Sequence, residues 1–195
     1  MWWSDGETAS IGDLAGGKAP LAPDGAVALD CSGDLLAVEA RGRRILVVDT
    51  CGIEPGLFKA GVWPLCALAL NGRAGLLAAG TPDGRIALHR VSSGELYAEL
   101  AMETGSLKAL AFSADGNLLA AGDDDGHIVI YRISSGQEIH KFDAGKGIRA
   151  LALYDEGFPV LIGGADGSVI LYRRALPPTE IAGGDCVVSS LTCLS

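Results

Sequence analysis

Three adjacent carboxylates form the densest set of potential metal ligands in this sequence. Asp123, Asp124 and Asp125 precede Gly126, and carboxylate oxygens are ligands for hard cations such as Ca²⁺. A calcium loop, however, distributes alternating oxygen ligands over about twelve residues. Aspartate also bonds the backbone of tight turns, where glycine supplies a positive φ. We therefore predict a turn between two strands at this place, and no metal site.

The same Asp-Gly pair recurs along the chain at a nearly constant interval. The glycine of each pair follows the glycine of the previous pair by 42 and then 41 residues. We predict that these pairs form structural turns, with the residues Asp83, Gly84, Asp125, Gly126, Asp166 and Gly167.

A second stretch matches the residue pattern of a phosphate-binding loop but lacks the other features that such a loop needs. Residues Gly12 to Lys18 match GxxxxGK, but Ala19 stands where the loop needs Ser or Thr, and Pro20 follows. Such a loop also needs a preceding strand and a following helix N-terminus, and no apolar run comes before Gly12. The sequence predicts a glycine-rich leader here and no cofactor.

Histidine and cysteine show no catalytic spacing. The three histidines, His89, His127 and His140, are isolated from one another, and His89 takes the strand position held elsewhere by Tyr131 and Tyr172, so it is expected to pack. The five cysteines form no CxxC pair, and an odd count without a secretory signal indicates reduced thiols. We predict packing thiols, no catalytic residue and no enzyme.

Composition limits the classes of partner. The chain has 195 residues, a formal net charge of −9 and 49% hydrophobic residues, enough for one packed domain. This acidic balance, with only two small arginine clusters, argues against nucleic acid. Membrane insertion is not expected, because no run reaches the roughly 18 apolar residues that span a bilayer, and the start of the chain lacks a signal peptide. We predict a cytoplasmic protein.

The elements that position these residues repeat. Ser106–Phe142 contains four short apolar runs separated by Asp-Gly and Ser-Gly turns, a pattern typical of a four-stranded antiparallel meander. A period of about 40–45 residues with four strands per unit indicates β-propeller blades. We predict an all-β fold with four blades at residues 26–60, 64–100, 106–142 and 147–182.

Both ends of the chain carry further expectations. Residues 1–25 read as an irregular leader, with the end of a preceding blade as the alternative, and residues 183–195 as the first strand of a fifth blade. Pro177-Pro178 predicts a short outer edge strand at Thr179–Ala182, because proline cannot donate to a ladder. We expect an incomplete or open propeller, with possible self-association through its open blade edges.

The segment FSADGNLLAAGDDDGHIVIYRISSG, Phe112–Gly136, resembles the WD40-repeat family. The resemblance extends over roughly Ala26 to Ala182 and implies a rigid, non-catalytic scaffold that binds proteins or peptides. The family's Trp-Asp pair is replaced, for example by Tyr131-Arg132, so its buried hydrogen-bond chain is not expected. The blades should then depend more on apolar stacking against their neighbours.

Two cationic residues are candidate partner contacts, and a second resemblance suggests an alternative function. Lys108 and Arg149 occupy matching first-strand positions 41 residues apart, and we predict that they contact an acidic partner on one propeller face. Gly147–Arg174 is similar to the C-terminal propeller of BEACH-domain vesicle-traffic proteins, which gives an alternative function. A propeller enzyme or ligand-binding domain is disfavoured, because no polar set recurs at the blade period.

Overall fold

A computed structural model of the chain describes residues 27–29, 34–40, 44–49, 56–59, 64–103, 105–154, 157–173 and 176–182. The described part contains sixteen strands in four antiparallel sheets of four strands each. Within each sheet the strands lie in chain order, so each strand pairs with the strands that precede and follow it in that sheet. This arrangement is the all-β architecture that the sequence predicts. The predicted leader and fifth-blade strand lie outside the described residues.

The strands follow the apolar runs. Sheet one consists of β1 (Val27–Leu29), β2 (Leu35–Ala40), β3 (Arg44–Asp49) and β4 (Gly56–Lys59). Sheet two consists of β5 (Ala67–Asn71), β6 (Leu76–Gly80), β7 (Arg85–Arg90) and β8 (Leu96–Ala101). Sheet three consists of β9 (Leu107–Phe112), β10 (Leu118–Asp123), β11 (His127–Arg132) and β12 (Gln137–Asp143). Sheet four consists of β13 (Ile148–Leu153), β14 (Val160–Gly164), β15 (Val169–Tyr172) and β16 (Thr179–Ala182).

Burial explains why these sheets need one another. Every residue of β6 and β10 is buried, whereas β8 and β12 are mostly exposed or half-buried. A sheet that is apolar on both faces must be covered on both. Neighbouring sheets supply the cover, and separate apolar clusters fill the spaces between sheets one and two, two and three, and three and four.

The first strands β1, β5, β9 and β13 lie next to one another in chain order. The fourth strand is at the opposite edge of each sheet. The sheets therefore fan outward from their first strands, with β8, β12 and β16 on the outside. The outer strand β16 begins directly after Pro177-Pro178 and pairs with β15, as the two prolines predict.

Close approach between sheets depends on glycine at the last or next-to-last position of the second strand. A Cβ added at Gly80 would lie 2.2 Å from Leu107 Cδ2, and one added at Gly122 would lie 2.9 Å from Ile148 Cγ2. Leu107 and Ile148 open the first strands of the next sheets and are fully buried. Glycine at these positions, 42 residues apart, makes room for the neighbouring first strand.

Candidate binding face

The turns between second and third strands lie on the same face as the crossovers that lead into the next first strand. We call this surface the turn face and define it by turns 81–84, 124–126 and 165–167 and by crossover residues 102–103, 105–106 and 144–147. Four backbone hydrogen bonds of 2.8–3.0 Å join turns to crossovers: Met102 to Gly84, Asp124 to Ser106, Ala144 to Gly126 and Ala165 to Gly147. The turn face is therefore a connected surface across sheets two to four.

The turn between β10 and β11 is organised by a buried carboxylate. Asp123 is fully buried, and its Oδ1 accepts hydrogen bonds from the backbone N–H groups of Asp125 (3.0 Å), Gly126 (2.8 Å) and His127 (2.8 Å). Gly126 has a φ of 107°. The side chain of Asp125, which the sequence selects for this turn, is exposed. The residue that bonds the turn backbone is Asp123, two positions earlier.

The other two predicted turns use their aspartates differently. Asp83 accepts a hydrogen bond from the Thr81 hydroxyl, which together with Arg85 lowers the pKa of its carboxyl. Asp166 accepts bonds from Lys146 Nζ at 2.8 Å and from the Ser168 hydroxyl at 2.6 Å. These two donors hold the pKa of Asp166 well below its usual range. Both carboxylates are therefore ionised acceptors within the turn face.

The structure brings three potential metal ligands together at one turn. Side-chain ligand atoms of Asp123, Asp125 and His127 lie within 4.8 Å of one another. Asp123 already accepts three backbone hydrogen bonds with Oδ1, and its Oδ2 lies 2.9 Å from His127 Nδ1. These hydrogen bonds explain why the carboxylate can be buried: it caps the turn. A turn-capping role is the one that the sequence favours for an aspartate at this place.

The predicted partner contacts occupy one position in successive first strands. Cys66, Lys108 and Arg149 are separated by 42 and 41 residues. Lys108 and Arg149 lie in the neighbouring strands β9 and β13, and Cys66 directly precedes β5, which lies beside β9. We call these three residues the inner row. Lys108 is half-buried with its Nζ 3.6 Å from Asp124 Oδ2. Arg149 is exposed and forms no ion pair with the residues that the structure describes.

The cysteine of the inner row is a structural thiol. Its Sγ donates to the carbonyl oxygens of Leu107 at 3.1 Å and Gly80 at 3.4 Å. Burial raises the pKa of Cys66 to about 11, although Lys108 opposes that shift. The thiol is therefore protonated at neutral pH, which suits packing and not nucleophilic attack.

Lys146 is a residue of the turn face that sequence reasoning missed. Its ammonium group contacts Asp166 Oδ2 at 2.8 Å and Ser168 Oγ at 3.0 Å, with Glu180 Oε2 at 4.0 Å. The Lys146 side chain therefore links the loop before β13 to the turn between β14 and β15. The repeat gives no signal for it, because the position 42 residues earlier is Thr104.

Four meander sheets that repeat every 41 or 42 residues and fan from their first strands define a repeat protein of propeller type. Residues 68–156 match the family described as the WD40 domain of anaphase-promoting complex subunit 4. This match supports the resemblance of the chain to the WD40-repeat family. The comparison with curated proteins gave no match. No helix in the described ranges is long and apolar enough to cross a membrane.

Proposed function

We propose that this protein is a non-catalytic scaffold that binds a protein or peptide partner on the turn face and on the inner row next to it, where Lys108 contacts Asp124 of the turn face. Three observations support the proposal: WD40 repeats are generally interaction platforms, the matched family is named for a complex subunit, and the turn face is held together by hydrogen bonds. A surface that is ordered before binding loses less conformational entropy on association.

The observation that carries the proposal is the pair of cations in the inner row. Lys108 and Arg149 project from neighbouring first strands at equivalent positions. Arg149 has a planar guanidinium group, which suits bidentate contact with a carboxylate. The chain has a net charge of −9. Two cations on one row attract an acidic partner segment, while the surrounding carboxylates repel an acidic segment that approaches elsewhere.

The test removes the two charges and measures the set of bound proteins. We expect Lys108→Gln/Arg149→Gln to lose a defined subset of the partners that co-purify with the wild-type protein in quantitative mass spectrometry. Neutral glutamine avoids placing a new carboxylate beside Asp124, which Lys108 contacts. The matched control is Arg73→Gln/Arg90→Gln, two exposed cations of sheet two.

Two outcomes would contradict the proposal. One is an identical set of partners for the wild-type protein and the inner-row variant. The other is an equal loss for the control, which would indicate a non-specific effect of net charge. Thermal melting of all three proteins checks that each is folded, since exposed substitutions usually change stability by less than about 0.5 kcal/mol.

A further inference from the structure

A second surface lies between the outer strand of sheet three and sheet four. It is a groove of about 320 Å³. Its floor is formed by the rings of His140, Phe142, Phe158 and Tyr172, and its rim carries Lys141, Arg173 and Leu176. We call this surface the lateral groove. Its volume is at the lower end of the range of about 300–1,000 Å³ for ligand sites, enough for one or two large side chains.

The rings of the lateral groove hold one another in place. Phe142 and Tyr172 are stacked with centroids 4.1 Å apart and planes at 16°, and His140 meets Phe158 edge-to-face at 4.8 Å. All four residues are half-buried. Such ring pairs are individually favourable, so the apolar floor exists before any partner arrives.

The repeat shows that the groove is not a requirement of the fold. Between sheets two and three, the positions equivalent to Phe142 and Tyr172 are Leu100 and Tyr131, and both are buried. Tyr131 is only 2% exposed, and its hydroxyl donates to the carbonyl of Ala101 at 2.9 Å. The corresponding space between sheets two and three is therefore filled by the chain itself.

The opening in sheet four has a local cause. In sheet three, Tyr131 pairs with Glu138 of the outer strand, so the fourth strand extends alongside the tyrosine. In sheet four, the outer strand begins only at Thr179, which pairs with Leu171. Tyr172 still pairs with Val160 of β14, but it lies beyond the part of β15 that the outer strand covers, at the edge of the groove.

The charge of the rim selects the kind of partner. Lys141 and Arg173 are exposed, and the described residues that line the groove include no carboxylate. At the position equivalent to Lys141, sheet two carries Glu99. A cationic rim around an aromatic floor, in a chain of net charge −9, is complementary to an acidic segment that has one large apolar side chain.

We propose that the lateral groove binds a short acidic peptide segment of a partner protein, anchored by one aromatic side chain. Lys141 and Arg173 pair with the carboxylates of the peptide, and Leu176, which is 55% exposed, covers the anchor. Single-stranded nucleic acid fits less well, because Phe142 and Tyr172 stack on each other and their shared faces are not open to bases. This site is independent of the turn face.

The experiment measures fluorescence anisotropy of a labelled nine-residue peptide, in which Trp stands between two Asp-Glu pairs with Gly-Ser ends. We expect the wild-type protein to bind it and Lys141→Glu/Arg173→Glu to bind at least about tenfold more weakly, because each attraction becomes a repulsion. The control Arg73→Glu/Arg90→Glu makes the same change in net charge on sheet two and should bind within about twofold of wild type.

Two further peptides separate the contributions of charge and ring. One replaces the acidic residues by Asn and Gln, and the other replaces Trp by Ala; each should weaken binding at least about fivefold. Lys108→Gln/Arg149→Gln should bind the original peptide as wild type does, so failure of the turn-face proposal and failure of this one remain distinguishable. Circular dichroism checks that each variant is folded.

Four results would overturn the inference. The first is no binding of the peptide by the wild-type protein up to about 1 mM, and the second is equal loss in the control variant. The third is tighter binding of a single-stranded oligothymidine than of the peptide. The fourth is a concentration-dependent dimer in sedimentation that Lys141→Glu/Arg173→Glu abolishes, which would assign the groove to a second copy of the chain.

Discussion

Replacing Asp123 by alanine should destabilise the protein far more than replacing its neighbour Asp125. The Asp123 carboxylate is fully buried and accepts the backbone N–H groups of three successive residues, Asp125, Gly126 and His127, at 2.8–3.0 Å. Its second oxygen lies 2.9 Å from His127 Nδ1. Alanine retains the Cβ but removes every acceptor, so the turn between β10 and β11 loses its cap.

The magnitude follows from which donors lose their partner. The Gly126 bond is buried, and those to Asp125 and His127 are half-buried. A buried donor without a partner costs about 1–3 kcal/mol, and the half-solvated donors recover part of their loss from water. We expect Asp123→Ala to lower the free energy of unfolding by about 3–5 kcal/mol. For a chain of this size the melting temperature should then fall by roughly 10 °C.

Thermal melting followed by circular dichroism, with urea denaturation as a second measure, tests this expectation. Asp125→Ala is the matched control, because its exposed side chain should contribute less than about 0.5 kcal/mol. Asp123→Asn retains one oxygen acceptor and should fall between the wild type and Asp123→Ala. Equal destabilisation by the two alanine variants, or an unchanged melting temperature for Asp123→Ala, would refute the assignment of the cap to Asp123.

Two further predictions concern the contacts between sheets and the buried histidine. Gly122→Ala places a Cβ 2.9 Å from Ile148 Cγ2 and should cost about 1–3 kcal/mol through overpacking between sheets three and four; urea midpoints equal to wild type would contradict this. Burial lowers the pKa of His89 below 6.5, although its bond to Gly94 opposes the shift. As the pH falls through about 6.5, the unfolded state takes up a proton that the folded state resists, so stability falls. His89→Phe should lose less stability between pH 7 and pH 5 than the wild type, and identical losses in urea denaturation would argue against a buried neutral imidazole.

Much of the architecture could be predicted because it depends on local and periodic features. Short apolar runs, Asp-Gly turns and a period of 41 or 42 residues are enough to indicate four-stranded antiparallel sheets. His89 was expected to pack from its repeat position alone, and the structure confirms it as 2% exposed. The fold can be predicted from these features without knowing which surfaces meet, because each sheet contacts a neighbour that is built in the same way.

The cap of the β10–β11 turn could not be chosen from sequence. Asp123, Asp124 and Asp125 carry the same side chain at consecutive positions, and the strand alternation that would distinguish them is interrupted by a register shift between Gly122 and Asp123. That shift belongs to the pairing of β10 with β9. The burial of Asp123 is therefore a property of the sheet, and an identical sequence triplet in an exposed loop would cap nothing.

The lateral groove was not predictable for a different reason. Tyr131 and Tyr172 hold the same repeat position, and sequence reasoning treats them alike. Their burial differs because the outer strand of sheet three extends past Tyr131, whereas that of sheet four starts one residue short of Tyr172. Pro177-Pro178 signals a shortened edge strand, but not that aromatic rings from the preceding sheet would line the space it leaves.

Departures from the repeat carry more information about binding than the repeat itself. Buried positions that all units share are constrained by packing between sheets, whereas a position that varies among units is free of that requirement. The inner row changes from Cys66 in sheet two to Lys108 and Arg149 in sheets three and four, and Glu99 changes to Lys141. Both candidate surfaces thus acquire positive charge in the same half of the described chain.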